Sequence, residues 1–269
     1  MSQVRDDEIR ASVRDTYSKL AVIDDGEGCA TDSCCGAGGI VQIASVQLGY
    51  SAADVASVPE GADLGLGCGN PQAIADLKPG ETVLDLGSGA GFDAFLAAPV
   101  VGETGQVIGV DMTPAMVSKA RANAERAGYA NVGFRLGEIE HLPVADATVD
   151  VIISNCVINL SPDKPAVFRE AFRVLRPGGR VAVSDVVASA EIPPEVRGDL
   201  SLHSGCVAGA SSVPELERMM ADAGFVDIRI APKDESKDFM ELWAPGRNIT
   251  DYVVSATIEA AKPTRAESA

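Results

Sequence analysis

From Thr82 onward the chain alternates short apolar β-type runs with stretches of helical periodicity, the pattern of a parallel sheet joined by crossover helices. The strands predicted in this half are 82–86, 106–110, 132–136, 149–154 and 181–187. Between them, helical patterns run near 92–98, from Thr113-Pro114 to Gly128, and from Ser161-Pro162 through Phe168 and Phe172 to Leu175, the last closed by the Arg176-Pro177-Gly178-Gly179 turn. Residues 194–225 read as helical, with Cys206 between the helices in His203 to Ala210, a capping box at Ser212-Val213-Pro214-Glu215 and a stop at Gly224. A sixth strand is expected at 226–230 and a seventh in the β-branched run Tyr252 to Ile258. The segment between them, with the only tryptophan, Trp243, has no assignable pattern, and the tail after Pro263 is polar and expected to fray.

Upstream, Ile9, Val13, Tyr17 and Leu20 predict an amphipathic helix over 4–20, a packing element or a lid. A loop of small residues follows, carrying Cys29, Cys34 and Cys35. Ser51 to Asp54 forms a capping box for a short helix ending by Pro59, and a second glycine-rich stretch, Leu64 to Pro71, places Asn70 as N-cap and Pro71 at the first position of a helix that stops at Lys78-Pro79-Gly80. The expected fold is α/β, a doubly wound Rossmann-like sheet with an N-terminal helical and loop extension and a C-terminal helical addition. The boundaries fall at 1–71, 72–190 and 191–269.

The candidate chemistry centres on Val83 to Asp93, where the first strand breaks into a loop with Gly87, Gly89 and Gly91. Ligands of such sheets bind beyond the carboxyl ends of the strands, and glycines let the backbone approach them closely. A dinucleotide fingerprint requires its third glycine at position 92, which is Phe92. Asp85, two places before the first glycine, suits an ammonium group instead, and Asp111, at the end of the second strand, suits both hydroxyls of a ribose. A carboxylate at each place favours S-adenosylmethionine over a phosphate-bearing cofactor.

Composition narrows the acceptor. A net charge of −17 with no basic stripe argues against nucleic acid, and with no run of about 18 apolar residues and no signal-peptide pattern, no membrane association and a cytoplasmic location are expected. In a reducing compartment the six cysteines, Cys29, Cys34, Cys35, Cys68, Cys156 and Cys206, are inert core residues or chemically used thiols. Zinc is poorly served, since there is no C-x-x-C pair and only His141 and His203.

Three segments carry a resemblance: Ser57 to Ala62 leading into Gly65-Leu66-Gly67-Cys68-Gly69-Asn70-Pro71, then Ser154-Asn155-Cys156-Val157-Ile158-Asn159-Leu160, and Gly205-Cys206-Val207-Ala208-Gly209-Ala210. With the glycine loop they resemble the S-adenosylmethionine-dependent arsenite methyltransferases of the small microbial type, over roughly positions 30 to 262. The resemblance implies a class I methyltransferase core at 72–190, covered by the cysteine-bearing loops of 1–71 and completed by an arsenic-site addition in 191–269. It further implies that Cys156 and Cys206 hold trivalent arsenic with Cys68 as third ligand. A thiol of the N-terminal loop, Cys34 or Cys35, would pair with Cys68 in a disulfide that reduces the pentavalent product. Toward the cofactor it implies Asp85, Gly87, Ser88 and Gly89 for the methionine end, Asp111 for the ribose, Met112, Glu138 and Ile139 for the adenine, and Asn155 near the methyl donor. Substrates would be arsenite or methylated trivalent arsenicals as thiol conjugates, the reductant glutathione or a thioredoxin-type protein, and no metal cofactor is implied. Two other readings stay open: methylation of a small organic acceptor such as a quinone, and metalloid binding without turnover.

Overall fold

The computed structural model describes residues 3–22 and 45–264, with side chains from Arg5 onward. Helix α1 spans Gln3–Ala21, α2 Ala52–Ser57 and α3 Gln72–Ala75. The core then runs β1 Thr82–Leu86, α4 Phe92–Val101, β2 Gln106–Asp111, α5 Pro114–Ala127, β3 Val132–Leu136, β4 Val149–Asn155, α6 Lys164–Val174 and β5 Leu175–Ala188. The C-terminal part adds α7 Pro194–Arg197, α8 Leu200–Ser204, β6 Ser211–Ser212, α9 Val213–Ala223, β7 Val226–Lys233, α10 Lys237–Met240 and β8 Val253–Ala261.

The strands form one sheet in the order β3-β2-β1-β4-β5-β8-β7, with β6 paired to the end of β5. Strands β1 to β5 are parallel, and β8 is antiparallel to both β5 and β7. Because β1 pairs with β2 on one side and β4 on the other, chain direction across the sheet reverses between β1 and β4, which opens a crevice beyond their carboxyl ends. Alternate residues of the central strands feed opposite faces. Val83, Val151 and Ile153 pack with Phe95 and Ala98 of α4 and Val117 and Ala120 of α5, while Leu84, Leu86 and Ile152 pack with Val167 and Phe168 of α6 and Leu216 and Met220 of α9. Each fully buried large side chain contributes about 1.5–3 kcal/mol to holding these layers together.

Several boundaries differ from the sequence reading. Strand β5 starts at Leu175 instead of 181: its register on β4 jumps from Val149↔Leu175 to Val151↔Arg180, so the Arg176–Gly179 turn bulges out within the strand. The helix expected to open at Ser161-Pro162 starts at Lys164, because the Asp163 side chain accepts the Ala166 N–H at 3.0 Å and the Ser161 hydroxyl donates to Glu140 at 2.7 Å. Helix α3 has Pro71 as N-cap and lasts one turn before Asp76 turns left-handed, although Asn70 Oδ1 still accepts from the Ala73 N–H at 3.3 Å. The Cys206 segment does lie between helices, α8 and α9, and the part before it is split further: Gly198 and Asp199 end α7 and cap α8, and Gly205 ends α8. The Ser212–Glu215 capping box and the left-handed Gly224 stop are both present on α9. The Trp243 segment folds as α10 and turns, with Phe239 and Trp243 packed 5.9 Å apart. Among the described residues no helix is long and apolar enough to cross a membrane.

Candidate active site

The crevice is a cleft of about 1020 Å³, including the part open to solvent. Its floor is the loop after β1, where Gly87 and Ser88 donate their N–H groups to the Val110 carbonyl at 2.7 and 3.0 Å. Gly87 has φ +68°, and a Cβ there would run into the Val157 side chain, so the turn requires glycine.

Three acidic residues line this floor: Asp85, Asp93 and Asp111. Asp85 is 3 % exposed, its Oδ2 has no hydrogen-bond partner, and neither has the buried hydroxyl of Ser88. Burial pushes the Asp85 carboxyl well above the usual range, with Asp93 and Asp111 adding to it. Burial also raises Asp93, to about 6, against the hydrogen bond that the Tyr50 hydroxyl donates to it at 2.8 Å. Asp111 is raised by burial and held down by the N–H groups of Thr113 at 2.8 Å and Gly89 at 3.0 Å. An unpartnered carboxylate oxygen beside two further carboxylates is a cradle for a cation that also donates hydrogen bonds. S-adenosylmethionine, with an ammonium and a sulfonium group, fits that demand.

Met112 and Ile139 line the cleft with Met116. Glu138 does not reach the cleft surface. Its carboxylate pairs with Arg10 at 3.8 Å and Arg14 at 3.4 Å on α1, and Glu140 lines the cleft instead, held by Arg10 at 3.4 Å and by Ser161. Helix α1 thus lies across the cleft, to which it contributes Arg10, Val13 and Tyr17.

The thiols converge on the cleft at Cys156. Cys68, Cys156 and Cys206 are all free and all buried, and they pack in one cluster with Leu160 and Val186. Cys156 follows β4 with φ +59°, and Cys206 follows α8 with φ +64°. Two non-glycine residues in left-handed conformation at one site are backbone strain that the surrounding packing holds in place. The Cys206 Sγ–H donates to the Cys156 carbonyl at 2.7 Å. The Cys206 loop is pinned by Lys164, whose ammonium donates to the Gly209 carbonyl at 2.5 Å, and by Arg197, which donates to Ala210 at 2.8 Å. Cys68 is clamped at both backbone groups: its N–H donates to Asn155 Oδ1 at 3.0 Å and its carbonyl accepts from Ser255 Oγ at 2.6 Å. The sulfurs of Cys68 and Cys156 and a carboxylate oxygen of Asp185 lie within 4.8 Å of one another. Burial pushes the Cys156 thiol well above its ordinary value, and the neighbouring Cys206 and Cys68 thiols add to it. Cys206 is lowered by its bond with Cys156, but burial and the charge of Asp185 leave it raised. Cys156 and Cys206 are therefore thiols, not thiolates, at neutral pH in the ligand-free state.

The structure brings Asp85, Gly87, Ser88, Gly89, Asp111, Met112, Ile139, Asn155 and Cys156 to one cleft, with Cys68 and Cys206 packed against Cys156. Cys34 and Cys35, and Cys29 near them, lie outside the described residues. Sequence reasoning missed Tyr17, Tyr50, Asp93 and Asp185. Asp185 left a trace: an acidic residue inside the apolar run Val181 to Val187. Tyr50 left none, since it meets Asp93 and Asn155 only through the fold.

Residues 77–224 match the family model of a methyltransferase domain. The arsenite methyltransferase of Halobacterium salinarum is 56% identical over 267 residues, covering 96% of this chain and 68% of its own length. The arsenite methyltransferase of Aquipseudomonas alcaligenes is 41% identical over 226 residues, covering 81% of this chain and 62% of its own. Among solved structures, an arsenic(III) S-adenosylmethionine methyltransferase from Chlamydomonas reinhardtii superposes with a TM-score of 0.61 at 35% identity, covering 82% of this chain and 72% of that one.

Proposed function

The chain belongs to the S-adenosylmethionine-dependent arsenite methyltransferases, and from that membership we propose that it methylates trivalent arsenic held by Cys68, Cys156 and Cys206. The observation that carries this reading is the convergence of three buried free thiols, from three separate parts of the chain, on a cleft that Cys156 lines together with an unpartnered carboxylate cradle.

S-adenosylmethionine, when bound, supplies an electrophilic methyl group on a sulfonium sulfur. Asp85, Gly87, Ser88 and Gly89 hold its methionine end, Asp111 its ribose, and Met112 and Ile139 pack its adenine. Glu138, expected at the adenine, instead pairs its carboxylate with Arg10 and Arg14 of α1. Residues 72–190 thus carry the cofactor, while 1–71 and 191–269 bring Cys68 and Cys206 to Cys156.

Soft trivalent arsenic prefers sulfur ligands. As each sulfur binds arsenic, the thiol proton leaves with the displaced oxygen or thiol ligand as water or free thiol, so the raised pKa values of Cys156 and Cys206 do not oppose loading. The arsenic lone pair is itself the nucleophile, and the protein's contribution is chiefly orientation, not proton abstraction. Asn155, by fixing the Cys68 backbone, positions the third sulfur. Reduction of the pentavalent product is assigned to Cys68 with Cys34 or Cys35 through a disulfide, which glutathione or a thioredoxin-type protein reopens. The scheme calls for no metal cofactor.

The test is incubation of the purified protein with S-adenosylmethionine, arsenite and a thiol reductant, with arsenic species separated over time. Methylated arsenic that requires both the cofactor and Cys156 is expected. No product, despite cofactor binding and intact thiols, would overturn the reading.

A further inference from the structure

Asp185 is an aspartate in the middle of the sheet, 1 % exposed, in β5 between Val183 and Val187. Its Oδ2 accepts the Ile158 N–H at 2.8 Å, and its Oδ1 accepts the Val186 N–H at 2.7 Å and the Asn159 Nδ2–H at 2.8 Å. Burial raises the Asp185 carboxyl to about 6, while these bonds and the charge of Lys164 act in the opposite sense, favour the charged carboxylate and fix its plane. Packing alone does not call for a carboxylate here, since an apolar residue in this strand would avoid the cost of desolvating a charge. What distinguishes the position is the pair of sulfurs, Cys68 and Cys156, within 4.8 Å of its oxygen.

We propose that Asp185 faces the bound arsenic and stabilises the positive charge that arsenic acquires during methyl transfer. This rests on the reading of the three thiols as arsenic ligands. In the transfer the arsenic lone pair forms the As–C bond as the methyl–sulfur bond breaks. The electron pair of the broken bond stays on sulfur, which becomes a neutral thioether. Arsenic rises from trivalent to pentavalent and takes over the positive charge, and no proton moves. A neutral tris-thiolate arsenic thus becomes a cation inside a buried, low-dielectric site, where a fixed anion is worth far more than in water and costs no reorganisation. The three N–H donors hold the carboxylate ready without neutralising it.

The test compares Asp185→Asn, which removes the charge, with Asn159→Ala, which loosens the same anchorage and leaves the charge in place. Three readouts are needed: arsenite affinity from the fluorescence of Trp243, which packs against the thiol cluster, thermal stability, and the single-turnover rate of arsenic-loaded protein. Asp185→Asn is expected to bind arsenite within about threefold of the parent and to transfer methyl roughly 100-fold or more slowly, in line with removal of a preorganised electrostatic group. Asn159→Ala, which removes one of the three donors but keeps the charge, is expected to lose stability and to slow transfer by no more than about tenfold, well short of Asp185→Asn. Equal slowing in both variants, or an unchanged rate in Asp185→Asn, would overturn the proposal. Should Asp185→Asn not fold, Asp185→Ser, which leaves room for water on the same N–H donors, carries the comparison with the same two outcomes. If the parent protein itself forms no methylated arsenic, the underlying reading fails, and that result is distinct from a parent that turns over while Asp185→Asn keeps pace.

Discussion

Asn155 holds Cys68 by its backbone: Oδ1 accepts the Cys68 N–H at 3.0 Å, while Nδ2 donates to the Gly69 carbonyl at 2.8 Å and to the Tyr50 hydroxyl at 3.0 Å. One side chain at the end of β4 therefore fixes a thiol 87 positions earlier in the chain, next to the thiol that directly follows it. Asn155→Ala leaves these groups without their partner, at a cost of about 1–3 kcal/mol for a buried unsatisfied group. The variant is expected to unfold at lower temperature and to bind arsenite roughly tenfold more weakly, as calorimetry and arsenite titration would read.

Gly67 tests the same clamp from the other side. Its φ of +144° is open to glycine, and a Cβ would stand 2.7 Å from Asn155 Nδ2. Gly67→Ala is expected to weaken arsenite binding by more than tenfold while cofactor affinity, measured by calorimetry, changes far less.

Removing the charge from the cradle should separate cofactor binding from arsenite binding in the opposite sense. Asp85→Asn replaces an unpartnered buried carboxylate oxygen, and a hydrogen bond to a charged group is worth about 1.5–3 kcal/mol. Cofactor affinity is expected to fall roughly 10- to 150-fold, with arsenite titration of the thiols unchanged.

How far all this could be read from the chain depends on distance along it. The β1–glycine loop–Asp85 unit and the strand ending at Asp111 are local patterns, so their joint place at the crevice followed from strand–helix alternation. Cys68, Cys156 and Cys206 were legible only as three segments resembling one family; nothing in their spacing predicts contact, which arises because β4, the Gly67–Asn70 loop and the α8 turn meet at one rim. The break between helices at His203 to Ala210 is legible in the chain; its close packing, where a Cβ at Gly209 would collide with the Asn159 carbonyl, is not. The pairing of Arg10 and Arg14 with Glu138, more than 120 positions away, turned a residue expected in the adenine pocket toward α1. Charge pairs of that kind are set by tertiary packing and leave no mark in local sequence.

The acidic cluster also implies a pH dependence. The folded-state pKa of Asp93 is about 6 against an ordinary 3.8, so between these values the native state binds more protons than the unfolded one and stability falls as pH rises. In the ligand-free protein this contribution is fully present below about pH 4 and lost by about pH 7, and it amounts to roughly 3 kcal/mol at most. Asp93→Asn is expected to remove it, so the stability difference between parent and variant, followed by denaturant unfolding from pH 4 to 7, should shift by about that amount. A difference independent of pH would show that Asp93 does not titrate in this range.

The central claim is that Cys68, Cys156 and Cys206 together form the arsenic site. Its most direct test is X-ray absorption on arsenite-loaded protein in which Cys29, Cys34 and Cys35 are replaced by serine, leaving only these three thiols. Three sulfur neighbours around arsenic are expected, falling to two in the further variant Cys68→Ser. An arsenic shell dominated by oxygen, or one unchanged by Cys68→Ser, would contradict the account.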